Sequence, residues 1–127
     1  MKQIPESLLN TFRKYDTPTI VNSLELLDSK FRTSCFTTEQ MICVDTSLPP
    51  IVGYARTATI SASSEVDPNT KRDRSLAYYE YVSCGTAPFI SVIQDVDESP
   101  GFGAFWGEVN SNIHNALGVI GVVTNGS

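Results

Sequence analysis

The stretch Pro100-Gly101-Phe102-Gly103-Ala104-Phe105-Trp106-Gly107-Glu108, with Phe89-Ile90-Ser91-Val92-Ile93 before it and Val119-Ile120-Gly121-Val122-Val123 after it, decides the fold. The flanking runs are short and nearly continuous in apolar, mostly β-branched residues, the pattern of strands covered on both faces. Between them Phe105, Val109, Ile113 and then Ala116 or Leu117 recur at helical spacing, which predicts a helix over 103–117. Strand, helix, strand in that order predicts a right-handed crossover and a sheet with parallel pairing, hence an α/β fold.

Working outward, Gly53 to Ile60 alternates with β-branched residues and reads as a strand. The apolar run Met41 to Val44 reads as another, with Ser47-Leu48-Pro49-Pro50 a loop between the two. Ser61 to Thr70 is a polar, turn-rich connection. Asp73 is the capping candidate for a helix reaching Val82, in which Leu76, Tyr79 and Val82 recur every third residue. The tyrosines at 78, 79 and 81 cannot all share one side of it. Near the N-terminus Pro5 suits a first helical turn, and Ile4, Leu8, Leu9 and Phe12 follow at helical spacing. Asp16 or Thr17 caps a second helix, with Pro18 near its first position and Ile20, Val21, Leu24 and Leu27 as the inward stripe. No repeat, low-complexity tract or linker interrupts this order. The expectation is one domain over 1–127, a helical segment at 1–34 packing on an α/β core at 35–127.

The chain has 127 residues, 41% hydrophobic and 18% charged, the composition of a globular domain. A chain of that size buries roughly two-thirds of the surface its unfolded form exposes. The net charge of −5 opposes nucleic-acid binding, because phosphate contacts need a basic surface that releases counterions. Lys71-Arg72-Asp73-Arg74 is the one basic run, read as a solvated loop or helix start. Cys35, Cys43 and Cys84 are odd in number and lack a CxxC pair, so neither a disulfide framework nor a zinc site is suggested. Reduced thiols fit a cytoplasmic protein. No segment approaches the roughly 20 apolar residues of a membrane span, so no membrane partner is expected.

The glycines at 101, 103 and 107 spell GxGxxxG, one residue longer than the dinucleotide fingerprint, and the acidic run Asp95-Val96-Asp97-Glu98 would repel a pyrophosphate. A small carboxylate suits the place better. A helix start exposes N–H groups without intrahelical partners and the positive end of the dipole, so the amides of Val109 and Asn110, after Gly107, would be open to an acid. Glu108 stands at that start, where the dipole favours its anion. That makes it a poor proton donor and a better acceptor for a water, or else a charge that only complements the dipole. His114, six residues on, is turned roughly 240° around the axis and reads as a polar surface or interface residue. Asp95 and Asp97 end a strand where α/β proteins often place ligands, with solvation in an exposed loop favoured over metal binding. Asn125-Gly126 is a tight-turn signal. No GxSxG, P-loop, HExxH or EF-hand loop is present.

Taken in order, Val92-Ile93-Gln94-Asp95, Gly103-Ala104-Phe105-Trp106-Gly107-Glu108, His114, Leu117-Gly118 and Gly121-Val122-Val123-Thr124-Asn125-Gly126 resemble the core of the RraA-like family, which includes a regulator of ribonuclease activity and the class II 4-hydroxy-4-methyl-2-oxoglutarate aldolases. Thr17-Pro18-Thr19-Ile20 and Gly53-Tyr54-Ala55-Arg56-Thr57-Ala58-Thr59 fit that family's N-terminal helix and a following strand. The resemblance implies the swivelling β/β/α domain, incomplete at its C-terminal end. Family enzymes follow the turn within a few residues by an Arg-Asp pair, the Arg holding a 2-oxo acid and the Asp a divalent metal. The chain carries no such pair, so the metal ligand is expected just beyond Ser127. The resemblance further implies Mg²⁺ or Mn²⁺, a homo-oligomer (a trimer or a multiple of it), substrate binding by Gly107, Val109 and Asn110, and Glu108 within the network of metal and water. Two functions follow. One is a metal-dependent lyase on 2-oxo acids, acting by aldol cleavage or oxaloacetate decarboxylation in the intact protein, with residues 1–127 alone inactive. The alternative is a non-catalytic regulator whose partner is a ribonuclease.

Overall fold

Three strand-forming runs between residues 54 and 124 pair side by side. The structure, a computed structural model, describes residues 3–34 and 36–127. Strands β1 (Tyr54–Ile60), β2 (Phe89–Asp95) and β3 (Val119–Thr124) form one sheet in the order β1-β2-β3, parallel throughout. Tyr54 stands opposite Phe89 and Ile60 opposite Asp95. Phe89 stands opposite Val119 and Ile90 opposite Gly121, so Ile120 is left over as an irregularity in the ladder. Helices α3 (Pro68–Ser83) and α4 (Glu108–Ala116) join the strands, which makes this an α/β arrangement. The chain divides into two units, Met1–Ile51 and Val52–Ser127.

In the second unit Val82 of α3, Phe89 of β2 and Val119 of β3 form a buried cluster, with Tyr54, Tyr78 and Leu117 packed on it. Only β2, with strands on both sides, has alternate residues fully covered; Ile120 and Val122 of the edge strand β3 are 44% and 39% exposed. The coverage expected on both faces therefore holds on one face of β2, with Ile90 and Val92 half-buried and Gln94 exposed on the other, and fails for β3. Arg56 ties β1 to the end of α3. Its side chain donates to the carbonyls of Val82 and Cys84, and its guanidinium lies 4.1 Å from the centre of the Phe89 ring.

Helix α3 begins at Pro68, not at Asp73. The carboxylate of Asp67 accepts the N–H groups of Asn69 and Thr70, both at 3.1 Å, and Pro68 needs no acceptor in the first turn. The run Lys71 to Arg74 therefore lies within the helix. Helix α4 begins at Glu108, and 103–107 is not helical. Those glycine-rich residues turn their amides elsewhere: Phe105 N–H and Trp106 N–H donate to the carbonyl of Ser127 at 2.6 and 3.3 Å. Helix α4 stops at Leu117, where Gly118 takes a φ of +88° that a side chain would strain.

In the first unit the helices are α1 (Glu6–Phe12) and α2 (Thr17–Leu27), followed by a 3-10 turn at Ser29–Arg32. Asp16 caps α2 by accepting from Thr19 N–H at 2.9 Å. Leu9 is buried, Ile20, Val21 and Leu24 are half-buried, and Leu27 is 82% exposed, so the stripe expected on α2 ends a turn early. Met41 to Val44 forms no strand. It has no partner strand, and Ile42 and Val44 are 83% and 101% exposed. Among the described residues no helix is long and apolar enough to cross a membrane. Cys43 and Cys84 are unpaired and exposed, and Cys35 falls outside the described residues.

Candidate functional site

The carboxyl ends of the strands gather most of the polar chemistry of the second unit. Asp95, the last residue of β2, is 3% exposed, and Asp97 is 9% exposed, so neither is the solvated loop carboxylate expected from the sequence. Both are consumed by the fold. Asp95 Oδ1 accepts from Asp97 N–H at 3.0 Å and Oδ2 from Gly101 N–H at 2.7 Å. Asn125 clamps the same residue by its backbone, accepting from Asp95 N–H at 2.7 Å and donating to its carbonyl at 3.1 Å. Asp97 accepts from the hydroxyls of Ser61 and Ser63 and from the amides of Ala62 and Ser63. Those hydroxyl bonds, then the amides, hold its carboxyl down at about 2 from an ordinary 3.8. The serine-rich loop after β1 was the overlooked signal, since serines close behind a strand readily donate to a buried carboxylate.

The glycine-rich loop closes over this corner. A side-chain carbon placed on Gly103 would lie 2.1 Å from Ala62 Cβ, so the two loops touch there as only glycine allows. Ser127 Oγ donates to the Gly101 carbonyl at 3.0 Å, which brings the Asn125-Gly126 turn against the same loop.

Past the loop, Gly107 takes the capping position of α4 with an extended backbone and no side chain to cap the helix. The first bond inside the helix runs from Ser111 N–H to the Gly107 carbonyl at 2.9 Å, so the amides of Glu108, Val109 and Asn110 precede the helical ladder. Gly107 and Glu108 are exposed, and Val109 is 73% exposed. Asn110 is half-buried and its side chain is occupied, Nδ2 donating to the Phe105 carbonyl at 2.5 Å and Oδ1 accepting from Tyr79 Oη at 2.8 Å. Gly107, Glu108, Val109 and Asn110 are thus adjacent on an open helix start.

His114 reverses the sequence expectation: it is 2% exposed and is the buried residue of α4 in place of Val109. Its Nδ1 lies 2.7 Å from the Asn110 carbonyl, which can only accept, so this nitrogen carries the hydrogen. Nε2 is 2.8 Å from Tyr78 Oη. The rings of Trp106, Tyr78, Tyr79 and Phe105 surround it, Trp106 nearest at 4.6 Å between centroids. Burial pushes the Tyr78 phenol above its ordinary 10. A histidine inside an aromatic shell supports the helix from below and offers nothing to solvent.

A cleft of about 580 Å³ opens at the carboxyl end of β1, between the 61–66 loop and α3. Lys71 and Arg74 line it, as do Ile60, Tyr78 and Phe105; Glu108, Val109 and Asn110 do not. Among the described residues no group of three histidine, cysteine, aspartate or glutamate side chains could hold a metal ion. With the oxygens of Asp95 and Asp97 already accepting hydrogen bonds, these residues do not fit Mg²⁺ or Mn²⁺ by themselves. No protein-family model, curated protein or solved structure matches the chain.

Proposed function

We propose that the protein is a lyase acting on small 2-oxo acids, with the start of α4 as the place that receives the acid. The observation that carries this reading is the uncapped, exposed helix start directly after a glycine-rich loop, with Glu108 at its first position. The amides of Val109 and Asn110 suit a carboxylate, since they are unused by the helix and lie at the positive end of its dipole. Their role does not depend on side-chain identity. The RraA-like resemblance supplies the reaction class, the swivelling domain, and the dependence on Mg²⁺ or Mn²⁺. The exposed edge at Ile120 and Val122 supports the homo-oligomer that the resemblance implies.

Cleavage of 4-hydroxy-4-methyl-2-oxoglutarate needs the proton of the 4-hydroxyl removed as the C3–C4 bond breaks. One pyruvate leaves as the ketone, and the enolate of the second takes a proton at C3. Glu108, exposed at the helix start, serves to hold the water that accepts the first proton and returns the second. The amides of Val109 and Asn110 keep the 2-oxo carboxylate in place through both steps.

The test is pyruvate release from 4-hydroxy-4-methyl-2-oxoglutarate and from oxaloacetate by the protein, with Mg²⁺ or Mn²⁺ and with chelator. Metal-dependent release is the expected result. Absence of release under all these conditions would overturn the lyase and favour the regulator that binds a ribonuclease.

A further inference from the structure

We propose that the cleft between the 61–66 loop and α3 is a separate binding site for a small molecule with an oxyanion head, carboxylate or phosphate, on an apolar body. The cleft lies at the carboxyl end of β1, where parallel α/β sheets commonly hold ligands, and its volume of about 580 Å³ suits a small organic molecule. Its lining combines two chemistries. Ile60 and Phe105 are apolar, whereas Lys71 and Arg74, three residues apart on α3 and so on one side of that helix, add two cations.

Those cations are otherwise uncommitted. The chain has 9 basic residues against 14 acidic ones, yet two of the nine face this one cleft. The ion pairs among the described residues join Arg13 to Glu6, Lys30 to Asp28 and Arg32 to Glu25, leaving Lys71 and Arg74 out. Arg74 feels the capping Asp67 only through longer-range attraction. Glu65 on the rim is the one carboxylate among the lining residues, and it disfavours a second negative charge near the mouth. An arginine fork beside a lysine point charge recognises either a carboxylate or a phosphate. The site stands independently of the reading of α4, because Glu108, Val109 and Asn110 lie outside it.

Amide chemical shifts of ¹⁵N-labelled protein, titrated with 3-phenylpropionate, phenyl phosphate, inorganic phosphate and the neutral 3-phenylpropan-1-ol, test the inference. Saturable shifts are expected at 61–66 and 71–78 with at least one of the two aromatic oxyanions, and which of them binds identifies the head group. The double variant Lys71→Gln, Arg74→Gln should keep the fold, as both residues are exposed, and weaken binding about tenfold or more. Equal binding of the alcohol, unchanged affinity in the double variant, or shifts confined to other residues would overturn the site. Inorganic phosphate binding as tightly as phenyl phosphate would overturn the apolar half of it.

Discussion

The carboxylates at the end of β2 and the one at the start of α4 meet opposite fates. The carboxylates of Asp95 and Asp97 are enclosed by amides and hydroxyls from three segments, and every bond they accept closes the corner further. Glu108 stands exposed at a helix start that no side chain caps. A buried carboxylate with its donors satisfied fixes a loop, and an open one beside unused amides is free to meet a ligand. Acidity alone does not mark a site. The supply of unused donors around it does.

That contrast fixes an order of effects on stability. His114→Ala should cost the most, about 3 kcal/mol, because it empties the aromatic shell beneath α4 and strips partners from Tyr78 Oη and the Asn110 carbonyl. Urea unfolding would show it, and a loss below about 1 kcal/mol would place the support of α4 elsewhere. Asp95→Ala should cost about 2 kcal/mol by leaving the amides of Asp97 and Gly101 without acceptors. Loss of hydrogen-exchange protection at those two amides is the accompanying sign. Asp97 should show itself in acid. Its folded value is depressed to about 2, so its contribution is complete above 3.8 and fades as the pH falls toward 2. Asp97→Asn should remove that part of the acid dependence, and an identical acid profile in both proteins would contradict it. Glu108→Gln should change stability least, by about 0.5 kcal/mol or less, the scale of one exposed charge at a helix start.

The sheet was legible because its information is local. Phe89 to Ile93 and Gly53 to Ile60 carry β-branched runs between turn signals, and the parallel order follows from the helices that join them. Met41 to Val44 shows the limit, since a short apolar run becomes a strand only if another strand is there to pair with it. The Asp67-Pro68 start was written in the chain as plainly as Asp16 with Pro18, but the polar stretch around it favoured a loop. At the candidate site, the exposed Glu108 and the amides of Val109 and Asn110 were visible because helix starts have unused amides by construction. His114 was not. With Val109 turned out, the face of α4 is set by the aromatic rings it meets, and those come from α3 and the glycine-rich loop. The Lys71 and Arg74 cleft was hidden for a similar reason, because the two cations share a side of α3 but only the 61–66 loop and the end of β1 make a cleft beside them.

The central claim, that Glu108 is the working carboxylate of an acid-binding helix start, is tested most directly by the rate of pyruvate release from 4-hydroxy-4-methyl-2-oxoglutarate by the protein and its Glu108→Gln variant. The claim predicts a kcat lower by about 10² to 10⁴ in the variant, with KM little changed because the backbone amides still bind the acid. An unchanged kcat in a folded variant would contradict it.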